Sequence, residues 1–375
     1  MRKNVGLILV VLGLSTILMQ AHAAEDPIKI AAIFAKTGIA ADANIPDFEG
    51  VRFAVEELNL AGGLLGRPIT LIELDNKSTP LGSKIAATQA VKQGVTAVIG
   101  ASWSSHSLRV APVLQQAKIP MISNFSTNPE VTKIGDYIFR VCFIDSFQGN
   151  ALAQFAQQDL EAKSVVILTN ISSEYSAGLA RFFADAFSEK GGSVLWEGEY
   201  QEKDIDFSQQ LKKTQVLQPD LIFIPGYPRD SGFIIKQARK LGIQSLFLGG
   251  DAWDIRMYDF GGDEIIGNYY SQHWHSSLPF SQNQQLLKRF KEKYGRRIEI
   301  ANMPLSYDAV MVLAEAIRRT NSLDRQKIRD ALAATKGFEG ATGMLTFDQN
   351  GDPVKGITIM KFEKDTPVLV KSLNP

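Results

Sequence analysis

Hydroxyl side chains follow two successive apolar runs of the sequence in a pattern that could bind an anion. The run 96–99 predicts a strand, and Ser104 follows it just before a helical pattern begins; Thr127 follows the next predicted strand, 120–123, in the same way. Hydroxyls beside exposed backbone N–H groups at a helix start can hold a carboxylate or a phosphate. Helix capping explains either hydroxyl equally well when it is taken singly. Two such loops on neighbouring strands could hold one carboxylate between them.

Two tyrosines and one acid occupy the corresponding positions in the second half of the chain. Tyr175, Tyr227 and Asp251 each lie shortly after a predicted strand. Asp251 could bind an ammonium group, and the two phenol rings could cover it or pack on apolar ligand atoms. For either tyrosine alone, surface packing is the more common role. Their shared position at strand ends favours a binding site.

The elements that must position these residues alternate short apolar runs with amphipathic stretches from residue 28 onward. This order is typical of βα units and largely parallel sheets, whose ligands bind beyond the carboxyl ends of the strands. The pattern runs once over residues 24–143 and starts again over 144–272. Two successive sets predict two lobes.

The last hundred residues contain too few strands for a third domain. Residues 273–343 are mainly helical and are assigned to the first lobe, whereas 344–375 are assigned to the second lobe. The β-like runs 344–347 and 357–362 are expected to join the two sheets already begun. The chain must then cross between the lobes more than once, through a hinge of several segments.

The N-terminus has the features of a secretory leader. Met1-Arg2-Lys3 precedes an apolar stretch over 5–19 and the small-residue sequence Ala21-His22-Ala23. A stretch of about 15 apolar residues is shorter than the roughly 20 that a spanning helix needs. The sequence therefore predicts a signal peptide over residues 1–23, cleavage after Ala23 and a periplasmic location, rather than a membrane anchor.

The net charge limits the kinds of binding partner, and the cysteine content limits the thiol chemistry, that the protein can be expected to have. The chain has 40 basic and 40 acidic side chains, and loss of the leader removes only Arg2 and Lys3. A nearly neutral protein is not expected to bind nucleic acid or an anionic membrane. The single cysteine, Cys142, lies among apolar residues, which favours a buried structural thiol over a reactive one. No internal disulfide can form.

Enzymatic and metal chemistry are poorly supported by the motifs. The sequence has no Gly-x-Ser-x-Gly elbow, no Walker loop and no Gly-x-Gly-x-x-Gly after its first strand. His273-Trp274-His275 is the one place that resembles a metal pair, and no further ligands lie near it in sequence. We expect no metal and no cofactor. An α/β enzyme that uses Asp251 or Ser104 is kept as a remote alternative.

A series of short motifs, in order and spacing, resembles the leucine/isoleucine/valine-binding proteins of ABC importers. Each motif is weak by itself, but the series covers nearly the whole chain after the leader. The motifs are Thr37-Gly38, Phe48-Glu49-Gly50, the run 59–66, Asp75-Asn76, Val98-Ile99-Gly100, Ser126-Thr127-Asn128-Pro129-Glu130, Phe139-Arg140, Gln148-Gly149, Tyr175-Ser176-Ala177-Gly178, Gln237-Ala238-Arg239 and Ser306-Tyr307-Asp308-Ala309.

This resemblance implies an α/β fold of two Rossmann-like lobes with parallel sheets, joined by a hinge of three crossings: the type I periplasmic binding protein. It also implies that Ser104 and Thr127 hold the ligand α-carboxylate. The backbone carbonyl of Phe125 and the side chain of Asp251 would bind the α-ammonium. Tyr175 and Tyr227 fall at aromatic positions of the second lobe.

The sequence also departs from the family at positions near the ligand. Ala43-Asn44 stand where branched-chain binders often have an aromatic residue, and Ser78 and Trp103 stand where some members have a disulfide. Trp103 is therefore a further candidate ligand contact. The resemblance implies a monomeric receptor that binds a branched-chain or other apolar amino acid by hinge closure and delivers it to a membrane permease. The bulk of Trp103 keeps an amide or an aromatic carboxylate open as an alternative ligand.

Overall fold

The computed structural model describes residues 26–374. The predicted leader, 1–23, lies outside these residues. Within 26–374, no helix is both long enough and apolar enough to cross a membrane.

The first lobe is built on a five-stranded parallel sheet in the order β2-β1-β3-β4-β5. Its first strand is buried almost throughout, because helices cover both faces of the sheet; this explains its continuous apolar sequence. The elements are β1 (Ile28–Phe34), α1 (Ala41–Leu60), β2 (Ile69–Asp75), α2 (Pro80–Lys92), β3 (Ala97–Gly100), α3 (Ser104–Gln116), β4 (Met121–Ser123), a 3-10 helix (Pro129–Ile134) and β5 (Ile138–Arg140).

The second lobe has a seven-stranded sheet in the order β14-β13-β10-β9-β8-β6-β7. Its last two strands in the chain pair antiparallel at one edge, and the others are parallel. The elements are α4 (Asp145–Gln158), β6 (Ser164–Asn170), α5 (Glu174–Glu189), β7 (Ser193–Tyr200), α6 (Ser208–Leu217), β8 (Leu221–Ile224), α7 (Pro228–Lys240), β9 (Leu246–Gly249), α8 (Met257–Gly261), a 3-10 helix (Gly262–Ile265), β10 (Tyr269–Gln272), β13 (Ile357–Phe362) and β14 (Pro367–Leu373).

Three helices between β10 and β13 pack on the core of the first lobe. They are α9 (Ser281–Tyr294), α10 (Asn302–Thr320) and α11 (Arg325–Ala333). The strands β11 (Phe338–Gly340) and β12 (Gly343–Leu345) pair only with each other. The expectation that the run 344–347 joins one of the main sheets is therefore wrong.

The hairpin pairs locally because its turn is fixed to α10. The carboxylate of Asp308 accepts hydrogen bonds from the backbone N–H groups of Ala341, at 2.7 Å, and Thr342, at 2.8 Å. Asp308 is fully buried, so these bonds replace the water that its carboxylate loses. The turn is thereby held on the helix, away from the sheet edge.

The chain passes between the lobes three times, at residues 141–144, 273–280 and 346–356, which we call the first, second and third connections. A buried ion pair links the end of β5 to the third connection: Arg140 Nε lies 2.6 Å from Asp352 Oδ1. Cys142 in the first connection is buried, as predicted, with Sγ 3.3 Å from the carbonyl oxygen of Ser126. Burial raises the pKa of the Cys142 thiol to about 12, so the thiolate is scarce at neutral pH.

Candidate functional site

A cavity of about 730 Å³ lies between the lobes, beside the carboxyl ends of their strands. We call it the cleft cavity. Its volume falls in the range of about 300–1,000 Å³ that is usual for small-molecule sites. Six of the seven side chains that the sequence predicts line it, three from each lobe: Trp103, Ser104 and Phe125 from the first, and Tyr175, Tyr227 and Asp251 from the second.

The seventh predicted residue, Thr127, is buried and does not form part of the cavity wall. Its loop closes against the start of α4, because the Thr127 carbonyl accepts a hydrogen bond from the backbone N–H of Asp145 at 2.9 Å. Its hydroxyl lies beside the carboxyl group of Asp145 and interacts with it. Thr127 therefore lies behind the wall, next to a buried acid.

Ser104 begins α3 and forms one side of the cavity. The helix starts here because Trp103 takes an extended conformation and its carbonyl accepts from His106 and Ser107. The Ser104 Oγ accepts a hydrogen bond from the backbone N–H of Asn128 at 3.2 Å, so its own hydrogen stays available to a ligand. The first N–H groups of a helix have no partner within the helix. This side of the cavity suits an anionic group.

Asp251 follows β9 and forms the opposite side. Its Oδ1 accepts from Gln148 Nε2 at 2.8 Å, and its Oδ2 lies 2.9 Å from His273 Nε2. Its carbonyl oxygen accepts from Gln272 Nε2 at 3.1 Å. Asp251 is 2% exposed, so these bonds fix both the backbone and the carboxylate.

A second buried acid, Asp145, lies near Asp251 and was missed in the sequence. Its carboxyl group interacts with the hydroxyl of Thr127, and in the described part of the chain Gln148 Oε1 has no hydrogen-bond partner. Burial raises the pKa of Asp145 well above its usual range, and the charge of Asp251 raises it further. Neither Asp145 nor Gln148 is part of the cavity wall, so of these three side chains only that of Asp251 faces the cavity.

Aromatic rings form a column that crosses from one lobe to the other beside the cavity. The rings of Trp103 and Tyr227 stack with centroids 4.1 Å apart and an angle of 16° between their planes. The ring of His106 stacks on that of Trp103 with centroids 5.4 Å apart, and the ring centroid of Tyr175 lies 5.8 Å from that of Tyr227. Asn128 Nδ2 also donates to the Glu174 carbonyl across the cleft at 2.8 Å. The lobes are therefore closed on each other.

Further charged side chains also line the cavity. One of them, Arg256, is held from the second lobe by Asp254, whose oxygens lie 2.9 and 3.0 Å from Arg256 Nε. Ala43, which stands where the related binders often have an aromatic residue, leaves space on the first-lobe side. The other charged residues in this group are Asp42, Glu202, Lys203, Arg229 and Asp259.

The two histidines that resembled a metal pair have separate surroundings. His273 contacts Asp251, whereas His275 Nδ1 lies 2.7 Å from Ser277 Oγ. Burial lowers the pKa of both imidazoles. Across residues 26–374, no three His, Cys, Asp or Glu side chains are grouped as metal ligands.

Comparison with known proteins agrees with this geometry. A family model described as "Periplasmic binding protein" matches residues 27–367. The chain is 37% identical to a leucine-binding protein from Thermotoga maritima MSB8, with a TM-score of 0.89, and the match covers 93% of this chain and 99% of that one. It is 29% identical to the isoleucine-bound branched-chain amino acid transporter substrate-binding protein of Streptococcus pneumoniae, with a TM-score of 0.87, over 93% of this chain and 100% of that one.

A curated relative gives the same result. The chain is 29% identical to the leucine-, isoleucine-, valine-, threonine- and alanine-binding protein of Pseudomonas aeruginosa, over 91% of each chain. The molecule is thus a two-lobed α/β solute-binding protein with a cavity in the interlobe cleft. The chain belongs to the periplasmic binding protein family and has the type I fold, which confirms the family and the fold class that its motifs predicted.

Proposed function

We propose that this protein is the extracytoplasmic receptor of an ABC importer and that it captures one α-amino acid, branched-chain or otherwise apolar, in the cleft cavity. It acts in the periplasm after loss of its leader, as a monomer, and passes the ligand to a membrane permease. It performs no chemistry on the ligand. The relatives named above, which are binding proteins for leucine, isoleucine and valine, support this assignment.

The observation that carries the proposal is the opposite polarity of the two sides of the site. The first-lobe side offers the Ser104 hydroxyl and the N–H groups at the start of α3 as donors, and the second-lobe side offers the buried carboxylate of Asp251 as an acceptor. An amino acid is a zwitterion with a carboxylate that only accepts and an ammonium that only donates. A ligand with one charge would leave one side unsatisfied.

The remaining wall suits an apolar side chain. Ile39, Trp103, Phe125 and Phe260 line the cavity beside the polar groups. For a ligand of about nine heavy atoms, micromolar affinity requires roughly −8 kcal/mol, or about −0.9 per atom, which is inside the limit for small ligands. Enclosure with charge-assisted hydrogen bonds is sufficient for this value.

Capture by closure follows from the contribution of both lobes. Ser104 belongs to the first lobe and Asp251 to the second, so a ligand bound between them contacts both only when the cleft is closed. A ligand shifts a conformational equilibrium only by its difference in affinity for the two states. Hinge closure around a ligand is an established motion of such receptors.

An aromatic carboxylate, or an amide, is the second candidate ligand. It is supported by the aromatic wall, since Trp103, Tyr227 and Phe125 could pack on a ring while Ser104 holds the carboxylate. This ligand would leave the Asp251 side of the cavity without a positively charged partner. The amino acid is therefore the better match.

The deciding experiment is native mass spectrometry of freshly purified protein, followed by a thermal-shift screen of the twenty amino acids against benzoate and aliphatic amides. We expect a co-purified mass of an apolar amino acid and the largest shift with the same compound. A shift with benzoate alone would replace the first candidate with the second. Turnover of a bound compound would instead support an enzyme.

A further inference from the structure

Three buried side chains, those of Gln148, His273 and Tyr175, contact the carboxylate of Asp251. Gln148 reaches Oδ1 from α4, just after the first connection, and His273 reaches Oδ2 from the start of the second connection. The side chain of His273 is 0% exposed and that of Asp251 is 1% exposed. The carboxylate cannot turn without breaking one of these bonds. Its direction is therefore set by side chains outside its own loop, and one of them, His273, lies at the start of the second connection.

The imidazole of His273 is itself fixed by aromatic packing. Phe143 of the first connection lies against the ring, with centroids 3.7 Å apart, and Phe125 of the first lobe meets it edge-on at 4.6 Å. The ring thus lies where two connections and the first lobe meet. Phe125 and Asp251 belong to different lobes, so a rotation about the hinge must change the contact of the ring with at least one of them.

The hydrogen-bond chemistry defines the role of each ring nitrogen. An ionised carboxylate only accepts, so Nε2 carries the hydrogen that points at Asp251. The other nitrogen, Nδ1, has no partner among the residues that the structure describes. An imidazole that is held by packing and donates one hydrogen bond to Asp251 is suited to orient that carboxylate.

We propose that His273 is a positioning residue, which directs the Asp251 carboxylate at the ligand ammonium and couples that direction to closure of the hinge. The inference rests on the proposed amino-acid receptor function, because it assumes that Asp251 binds an ammonium. It adds to that function a residue outside the cavity wall. His273 acts through Asp251, so its effect must disappear when Asp251 can no longer bind the ammonium.

A double-mutant cycle in the full-length protein tests this dependence. Leucine binding is measured by calorimetry for the wild type, His273→Leu, Asp251→Asn and the double variant. Loss of a hydrogen bond to a charged group predicts that His273→Leu weakens binding about 10- to 100-fold. In the Asp251→Asn background the same change is expected to cost less than about twofold. Independent losses that multiply in the double variant would overturn the proposal.

Two matched variants separate positioning from packing. His275→Leu changes the same residue type two positions along the second connection, away from Asp251, and is expected to leave the affinity within about twofold, as for other changes away from the site. His273→Gln and His273→Met have similar lengths, and only Gln can donate, so Gln should bind leucine at least several-fold more tightly than Met. The Gln and Met variants also test the role of the donor if His273→Leu does not fold. Equal affinities for Gln and Met would refute a role of the donor.

The proposed function can fail separately from this inference. If the wild type binds no α-amino acid, the receptor proposal fails and the inference fails with it. If the wild type binds leucine but the cycle shows no coupling, only the role of His273 is rejected.

Discussion

Replacement of Asp251 by Ala is the sharpest perturbation of the proposed ammonium site. The change removes the ligand's charged partner and leaves Gln148 Nε2 and His273 Nε2 without their carboxylate acceptor. Loss of one partner of a buried charge pair costs about 2–5 kcal/mol in binding. Since Asp145 remains nearby as a second acid, we expect the lower part of this range, about 30- to 300-fold weaker leucine binding.

The assay is isothermal calorimetry with leucine and with 4-methylpentanoate, which has the same carbon skeleton without the ammonium. Leucine affinity should fall by the stated factor, while 4-methylpentanoate affinity should change less than about threefold or improve, because a buried charge is removed. Asp263→Ala, an exposed acid of the same lobe outside the cavity, is the control and should change neither. Equal losses for both ligands would show that Asp251 does not recognise the ammonium.

Three further predictions concern Asp145, Trp103 and Asp47. Asp145→Asn should raise the melting temperature of the ligand-free protein at pH 8, because burial and the charge of Asp251 disfavour the ionised form of Asp145, and it should change leucine affinity in calorimetry less than about threefold, because Asp145 does not line the cavity. Trp103→Ala removes the interlobe stack, worth about 0.5–1.5 kcal/mol, so leucine should bind about 2- to 12-fold more weakly and small-angle X-ray scattering should find a more open ligand-free protein; an unchanged affinity would contradict this. Burial raises the pKa of Asp47 to about 7, so the folded protein keeps a proton that the unfolded chain loses near pH 4, and stability falls as pH rises from about 4 to 7. Asp47→Asn should therefore raise the melting temperature more at pH 8 than at pH 4.5, and an equal gain at both pH values would refute this.

The sequence predicts the sheet strands and the place of the site well, for a physical reason. The predicted strands 96–99 and 120–123 lie within one residue of β3 and β4, both of which are buried on both faces and so have mainly apolar sequences. In a parallel sheet the strand ends lie at one edge, so residues that follow strands come together. The positions of Ser104 and Asp251 after strands are therefore enough to predict that both line one cavity, as they do.

Other features depend on packing that no local pattern reports. An acid at the first position of a helix, such as Asp145, usually serves only the helix dipole. Its burial arises from the meeting of the first connection with the second lobe. The hairpin over 338–345 likewise forms because Asp308, thirty residues earlier, holds its turn. The aromatic column could not be predicted from the sequence, because Trp103 and Tyr227 lie far apart in the chain and meet only where the two lobes close on each other.

The magnitudes of the contacts across the cleft explain why closure should depend on ligand. The stack of Trp103 on Tyr227 favours the closed state by about 0.5–1.5 kcal/mol. Closure also holds the Asp251 carboxylate, whose side chain is 1% exposed, in a buried site without the ligand ammonium, and the effective penalty for a buried ion is several kcal/mol. The open form is therefore expected to predominate without ligand. An ammonium group supplies the charge that offsets this penalty, and only then does the aromatic stack add to a closed state that is already favourable.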